Sequence, residues 1–143
     1  MTYKEKRLVL IVMTVQTIGF GGARASEQGN LDEAWRLCFA VESSSGTDPA
    51  ARVENYAHAL GDVQITPIMV QDVNRILRAP VFCLSDRLDR AASREMFNVA
   101  QRHYNRGASV EKMCRFWLRG PSRSRQYDEH GDEYWATCQR KGK

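Results

Sequence analysis

Leu31-Asp32-Glu33-Ala34-Trp35-Arg36-Leu37-Cys38-Phe39-Ala40-Val41-Glu42-Ser43-Ser44-Ser45-Gly46 is the stretch on which the fold turns. Leu31, Ala34, Trp35, Cys38 and Val41 recur at three- and four-residue spacing, the period of a helix that buries one face. Asn30 with Glu33 reads as a capping box at its start. The run Ser43 to Gly46, with Pro49 close behind, breaks the helix, so Glu42 is its last residue. Glu42 lies four positions after Cys38 and eleven after Leu31, and so continues the apolar stripe.

Outward from this helix the pattern stays helical. Residues 47–60 form a loop without a clear period, and Val63-Gln64-Ile65 is a short extended piece or a tight turn. Thr66 then caps a second helix with Pro67 at its first position, and Ile68, Met69, Val73, Ile76 and Leu77 supply its buried face. Ser85 or Asp86 opens a long third helix carrying Leu88, Ala92, Met96 and Val99, ended by Gly107. Ser109 caps a fourth, with Val110, Met113, Cys114 and Trp117 facing inward and Gly120-Pro121 as its stop. A polar loop from Ser122 to Asp128 leads to a last short helix with Tyr134, Trp135 and Cys138. The expected fold class is mainly α: one helical domain with one long loop after its first helix.

The chain has 143 residues, 21 Lys+Arg against 17 Asp+Glu and a net charge of +4. Its hydrophobic content of 43% lies far above the disordered range. Much of the basicity is local to one end. Lys4, Lys6 and Arg7 precede an apolar run from Leu8 to Phe20, and Ala23-Arg24-Ala25 offers a small-x-small cleavage site. That layout reads as a secretory signal peptide over residues 1–25, with the mature chain starting at Ser26. The apolar run has 13 residues, short of the roughly 20 a membrane span needs, so no stable membrane anchor is expected after processing. The expected location is therefore periplasmic or extracellular. Residues 26–143 keep 17 cations and 16 anions, divided into a net-acidic stretch to residue 100 and a basic last third. Nucleic-acid binding through that last third is the weaker use of its charge, since an anionic wall polymer meets the same arginines.

Four cysteines, Cys38, Cys83, Cys114 and Cys138, suggest two disulfides in an exported protein, with Cys114–Cys138 the preferred pair and buried thiols the alternative. No C-x-x-C pair occurs and the three histidines are scattered, so neither a metal nor a cofactor is expected.

Glu42 is the candidate chemical group. A carboxyl continuing an apolar stripe is partly desolvated, which favours its protonated form, and a neutral acid near working pH is what protonates a glycosidic oxygen. Its position also fits a helix-terminal Glu that simply points into water. Trp117 and Tyr134 read equally as core aromatics, and Gln64 as a turn residue. Glu54, in the loop, has nothing to mark it out, while Asp62, Asp72 and Asp86 read as solvated or capping groups.

From about Leu31 to Cys138 the chain resembles the lysozyme-like domain of the lytic transglycosylases and goose-type lysozymes. Ala40-Val41-Glu42-Ser43-Ser44-Ser45-Gly46 is similar to the family's helix ending in Glu-Ser. Ala59-Leu60-Gly61-Asp62-Val63-Gln64-Ile65-Thr66-Pro67 is similar to its Gly-Leu-Met-Gln-Ile turn before a Pro-started helix. Trp117-Leu118-Arg119-Gly120-Pro121 stands where a Trp-Asn-Gly-Gly-Pro motif falls, and Tyr134-Trp135 matches a tyrosine of the final helix. Two positions depart from the pattern: Leu118 replaces the substrate-holding Asn, and Asp62 replaces an apolar residue.

The resemblance implies a lysozyme-like transglycosylase domain over residues 26–143, with Glu42 as the single catalytic acid/base. Its substrate would be the bond between N-acetylmuramic acid and N-acetylglucosamine in peptidoglycan glycan strands. The same carboxylate would then assist attack by the muramic hydroxymethyl oxygen, leaving an anhydro end. Ser43, Gly61, Gln64, Ile65, Trp117 and Tyr134 would form the substrate cleft of a monomer. A hydrolytic lysozyme and a non-catalytic wall-binding or inhibitor-like module are the alternative readings.

Overall fold

The computed structural model describes residues 21–143, so the expected leader lies outside the described residues as far as residue 20. Six α-helices follow one another: α1 Gly21–Ser43, α2 Pro67–Leu77, α3 Arg90–Tyr104, α4 Val110–Arg119, α5 Arg123–Gln126 and α6 Glu129–Lys141. Two 3₁₀ turns, Pro49–Arg52 and Leu84–Leu88, complete the order. The described residues contain no strand, only an isolated antiparallel bridge between Leu60 and Ile65. The fold is mainly α, with the long connection between α1 and α2 holding the first 3₁₀ turn.

The first helix begins earlier than its capping signal suggests. It runs unbroken from Gly21 through Ser26 and Asn30, so the amides after Asn30 already sit inside a helix and need no cap. Asn30 Nδ2 instead donates to the carbonyl of Ala108 at 3.2 Å, tying α1 to the junction between α3 and α4. The third helix begins later than expected. Asp86 accepts from the amide of Cys83 and closes a 3₁₀ turn, and Asp89 is the cap of α3, accepting from Ala92 N at 2.7 Å. Thr66 and Ser109 cap α2 and α4 as their sequence positions indicate. The polar stretch after Pro121 contains α5, a single turn.

The core gathers Leu31, Trp35 and Cys38 of α1, Met96 and Phe97 of α3, Met113, Cys114 and Phe116 of α4, and Tyr134 and Cys138 of α6. Phe97 is central, edge-on to Trp35 at 5.5 Å and tilted on Trp117 at 4.6 Å. On α2 the inward face is Val70 and Val73, with Met69 and Leu77 partly buried against the same core, while Ile68, expected inward, is 76% exposed.

Two glycines are required by close approach. Gly61 has φ 88°, and a Cβ there would lie 1.8 Å from the carbonyl oxygen of Arg87. A Cβ on Gly131 would lie 2.0 Å from the carbonyl oxygen of Gln126, where α6 starts against α5.

The expected disulfides are absent. All four cysteines are free thiols. Cys83 is exposed on the second 3₁₀ turn and touches Ser85 and Asp86 rather than another cysteine. Cys38, Cys114 and Cys138 meet in the core as a trio of thiols, an odd number that cannot pair completely.

Candidate acid site at the end of the first helix

Glu42 occupies the last turn of α1 and Tyr134 the second turn of α6, and the packing of these helices brings them together. The Tyr134 hydroxyl donates to Glu42 Oε1 at 2.7 Å. Tyr134 is buried, with 8% of its surface exposed, while Glu42 keeps part of its surface open to solvent. One turn behind Glu42 stands Cys38, and one turn beyond Tyr134 stands Cys138, so the floor of the site is thiol and hydrocarbon.

This surrounding sets the protonation of Glu42. Burial of the carboxyl raises its pKa above the ordinary 4.5, and the Tyr134 hydrogen bond and the Lys141 charge oppose that rise without cancelling it. Tyr134 is pushed well above the usual phenol range by burial first, then by the neighbouring Cys38 and Glu42, so it stays a neutral donor. Tyr134 occupies Oε1, and no described residue bonds to Oε2. The proton of the neutral acid therefore has a free oxygen to reside on, the geometry a proton donor needs. Lys141 Nζ lies 3.4 Å from the carbonyl of Ala40, where a cation complements the negative end of α1.

Two of the thiols behind the carboxyl, Cys114 and Cys138, are held in their protonated form. Cys114 gains acidity from its hydrogen bond to Cys138 but loses more to Cys38 and to burial, ending above the normal thiol value. Cys138 is raised as well, first by its bond to Cys114 and then by burial. No group of His, Cys, Asp or Glu among the described residues is arranged to hold a metal ion.

The residues expected to line a cleft divide into separate units. Gly61 to Ile65 form a closed turn, with paired Leu60 and Ile65 backbones bonded at 3.1 and 3.0 Å. Gln64 takes a left-handed φ of 54°, and its side chain spans this turn: Nε2 donates to Gly61 O at 3.0 Å and Ala51 O at 3.3 Å, while Oε1 accepts from Asn55 at 3.1 Å. Trp117 is fastened to the same turn, its indole N–H donating to Val63 O at 2.8 Å. Ile65 is 1% exposed and belongs to the core. Gly61 faces the backbone of Arg87, so its missing side chain serves packing. Ser43 is likewise buried, its hydroxyl donating to Phe39 O and accepting from Gly46 N, which closes α1. Only Tyr134 among these residues bonds to Glu42.

Three participants lie outside the expected set. Lys141 follows Tyr134 by seven residues, two helical turns, so the α6 period carried a signal for it. Asn55 holds the Gln64 side chain from a loop with no such period. Asp62, expected to be solvated, is 2% exposed and paired with Arg90 Nε at 2.7 Å and Arg52 Nη2 at 3.8 Å. Arg90 also lies over the Phe39 ring, 4.8 Å from its centroid, and so links the Gly61 turn to the last turns of α1.

Comparison of the chain with known proteins returns no matching family model, no matching curated protein and no matching solved structure. The functional reading therefore rests on the site together with the resemblance of its sequence motifs.

Proposed function

We propose that the protein is a peptidoglycan-cleaving glycosidase, a lytic transglycosylase in which Glu42 alone acts as acid and then base. The observation that carries this reading is the partly buried Glu42 carboxyl, raised in pKa and held by Tyr134 through one oxygen, with no described residue bonded to the other. Protonated Glu42 Oε2 gives its proton to the bridging oxygen of the MurNAc–GlcNAc bond as that bond breaks. The resulting carboxylate, still steadied by Tyr134, takes the proton of the muramic C6 hydroxyl as its oxygen closes onto C1. The product ends in an anhydro sugar and Glu42 regains its proton. Two other carboxylates of the acidic half are already committed: Asp62 to Arg90 and Arg52, Glu54 to His58 and Arg87. A mechanism with one working carboxyl suits that distribution better than the usual pair. In this reading the protein is exported through residues 1–25 and acts on the wall as a monomer.

A second reading has its own observation. Leu118 is 42% exposed where the resembling family carries a substrate-holding Asn, which favours a glycan-binding module without turnover. One experiment separates the possibilities. Purified cell wall is incubated with the protein, and released muropeptides are analysed by mass spectrometry. Anhydro ends abolished by Glu42→Gln support transglycosylation; reducing ends abolished by the same change support the hydrolytic lysozyme. Retention on sacculi without any release leaves the binding module, and activity undiminished in Glu42→Gln overturns the assignment of Glu42.

A further inference from the structure

A cavity away from Glu42 lies where the end of α3, the start of α4 and the segment around α5 meet. It has a volume of about 300 Å³ and is lined by Tyr104, Asn105, Lys112, Arg123, Gln126 and Tyr127, with Pro121 at its edge. None of the residues of the acid site lines it.

Its two amides have a determined orientation. Gln101 Nε2 donates to the carbonyl of Met113 at 3.0 Å, so Gln101 Oε1 must be the acceptor towards Asn105. Asn105 Nδ2 therefore donates to it, at 2.7 Å, and Asn105 Oδ1 is turned to the other side. Gln126 Nε2 donates to the carbonyl of Gly120 at 2.7 Å, which leaves Gln126 Oε1 free in the same way. Both residues are 3% exposed, and no described residue bonds to either oxygen. Neither oxygen is sealed from solvent, since the one fully enclosed and unpartnered side-chain polar atom among the described residues is Asn98 Oδ1. Acceptors without a partner, on buried residues that line a cavity, take donors from whatever fills it.

The cations at the rim point to the rest of the ligand. Lys112 and Arg123 form no ion pair with a described residue, whereas Arg115 and Arg119 nearby are both neutralised by carboxylates. Tyr127 is braced by the Arg115 guanidinium 4.7 Å from its ring centroid, and the Tyr104 hydroxyl is tied to Asp72 at 2.8 Å, so neither ring is free to collapse into the space. Neutral amide oxygens suit neutral N–H donors better than an ammonium group, which calls for a carboxylate partner.

We propose that this cavity binds the carboxyl terminus of a short peptide. The carboxylate is taken by Lys112 and Arg123, the last amide N–H groups by Asn105 Oδ1 and Gln126 Oε1, and small apolar side chains rest against Tyr104 and Tyr127. The inference stands apart from the chemistry at Glu42. The volume matches a ligand of two or three small residues, at the lower end of ordinary binding pockets.

The test uses the full chain and isothermal titration with acetyl-Ala-Ala carrying a free carboxylate, the same dipeptide as its carboxamide, and inorganic phosphate. Expected is saturable binding of the free acid, weakened about tenfold or more in the carboxamide and in Lys112→Met and Arg123→Met, whose melting temperatures stay at the wild-type value. Both changes are at exposed side chains, which keeps folding out of the comparison. Equal binding of acid and carboxamide overturns the proposal, as does phosphate binding as tightly as the dipeptide. Absence of any binding by the folded wild-type chain overturns it too.

Discussion

Two carboxylates of the same half of the chain end in opposite circumstances. Asp62 is almost wholly buried yet stands between two arginines, one bonded at 2.7 Å. Glu42 is less buried and receives a phenol hydroxyl and the more remote Lys141 charge. Only Asp62 has guanidinium groups beside it, whereas the charge nearest Glu42 is the more distant Lys141. Asp62 is a structural anion that joins the Gly61 turn to α3 and, through Arg90 over Phe39, to the last turns of α1. Glu42 is left as an acid whose proton is held more tightly than usual. Depth of burial alone does not separate the two carboxyls; the charge beside each does.

The largest expected effect tests the chemical side of this contrast. If the proposed cleavage holds, Glu42→Gln should lower it about a thousandfold, the size of a lost general acid, and zymography with muropeptide counting reads it directly. Asp62→Asn should leave turnover within a few fold if the acid site is sound. The structural side reverses the ranking. Arg90→Met takes the nearer charge from buried Asp62, leaving only Arg52 at 3.8 Å, and should cost about 2 kcal/mol in urea unfolding. Asp62→Asn strands only half-exposed arginines and should cost about 1 kcal/mol. Equal losses for the two changes would break the assignment of Asp62 as the dependent partner.

The protonation of Glu42 gives a sharper, smaller effect. Its folded pKa is raised, so its contribution to stability is complete below the ordinary value of 4.5 and is lost as pH rises through the raised pKa. Melting curves of wild type should therefore fall, relative to Glu42→Gln, across that interval, and cleavage should decline over the same pH range. Tyr134→Phe removes a hydrogen bond that favours the charged form. The alkaline limb of its pH–rate profile should move to higher pH, with kcat down about tenfold from lost orientation. Lys141→Met should displace the limb in the same direction by less, and cost about 0.5 kcal/mol at the α1 terminus.

Local chemistry made much of the helical framework legible. Thr66-Pro67 and Ser109 carry start signals that act within one turn, and Gly120 a stop, so tertiary packing has little to overrule. The same signals misplace the starts of α1 and α3. Asn30 has the side chain of a cap but sits within a longer helix and spends its amide on Ala108. Asp86 and Asp89 are both able to cap, but Asp86 falls inside the 3₁₀ turn Leu84–Leu88, which leaves Asp89 to serve α3. The buried face of α2 differs from the apolar count at Ile68, which is exposed while Met69 beside it packs on the core.

The sequence by itself determined that Glu42 stands on the apolar stripe at the end of a helix, because position on a helix follows from a period of 3.6 residues. Only the tertiary structure decided what faces it. Tyr134 is 92 residues away, and its hydroxyl reaches Glu42 through the packing of α6 on α1. The pairing of Asp62 with Arg90, 28 residues on, is decided in the same way, as are the thiol trio in place of disulfides and the two open amide oxygens of the α3–α5 cavity. Charge compensation and hydrogen-bond satisfaction are properties of neighbours in space, which no local period records.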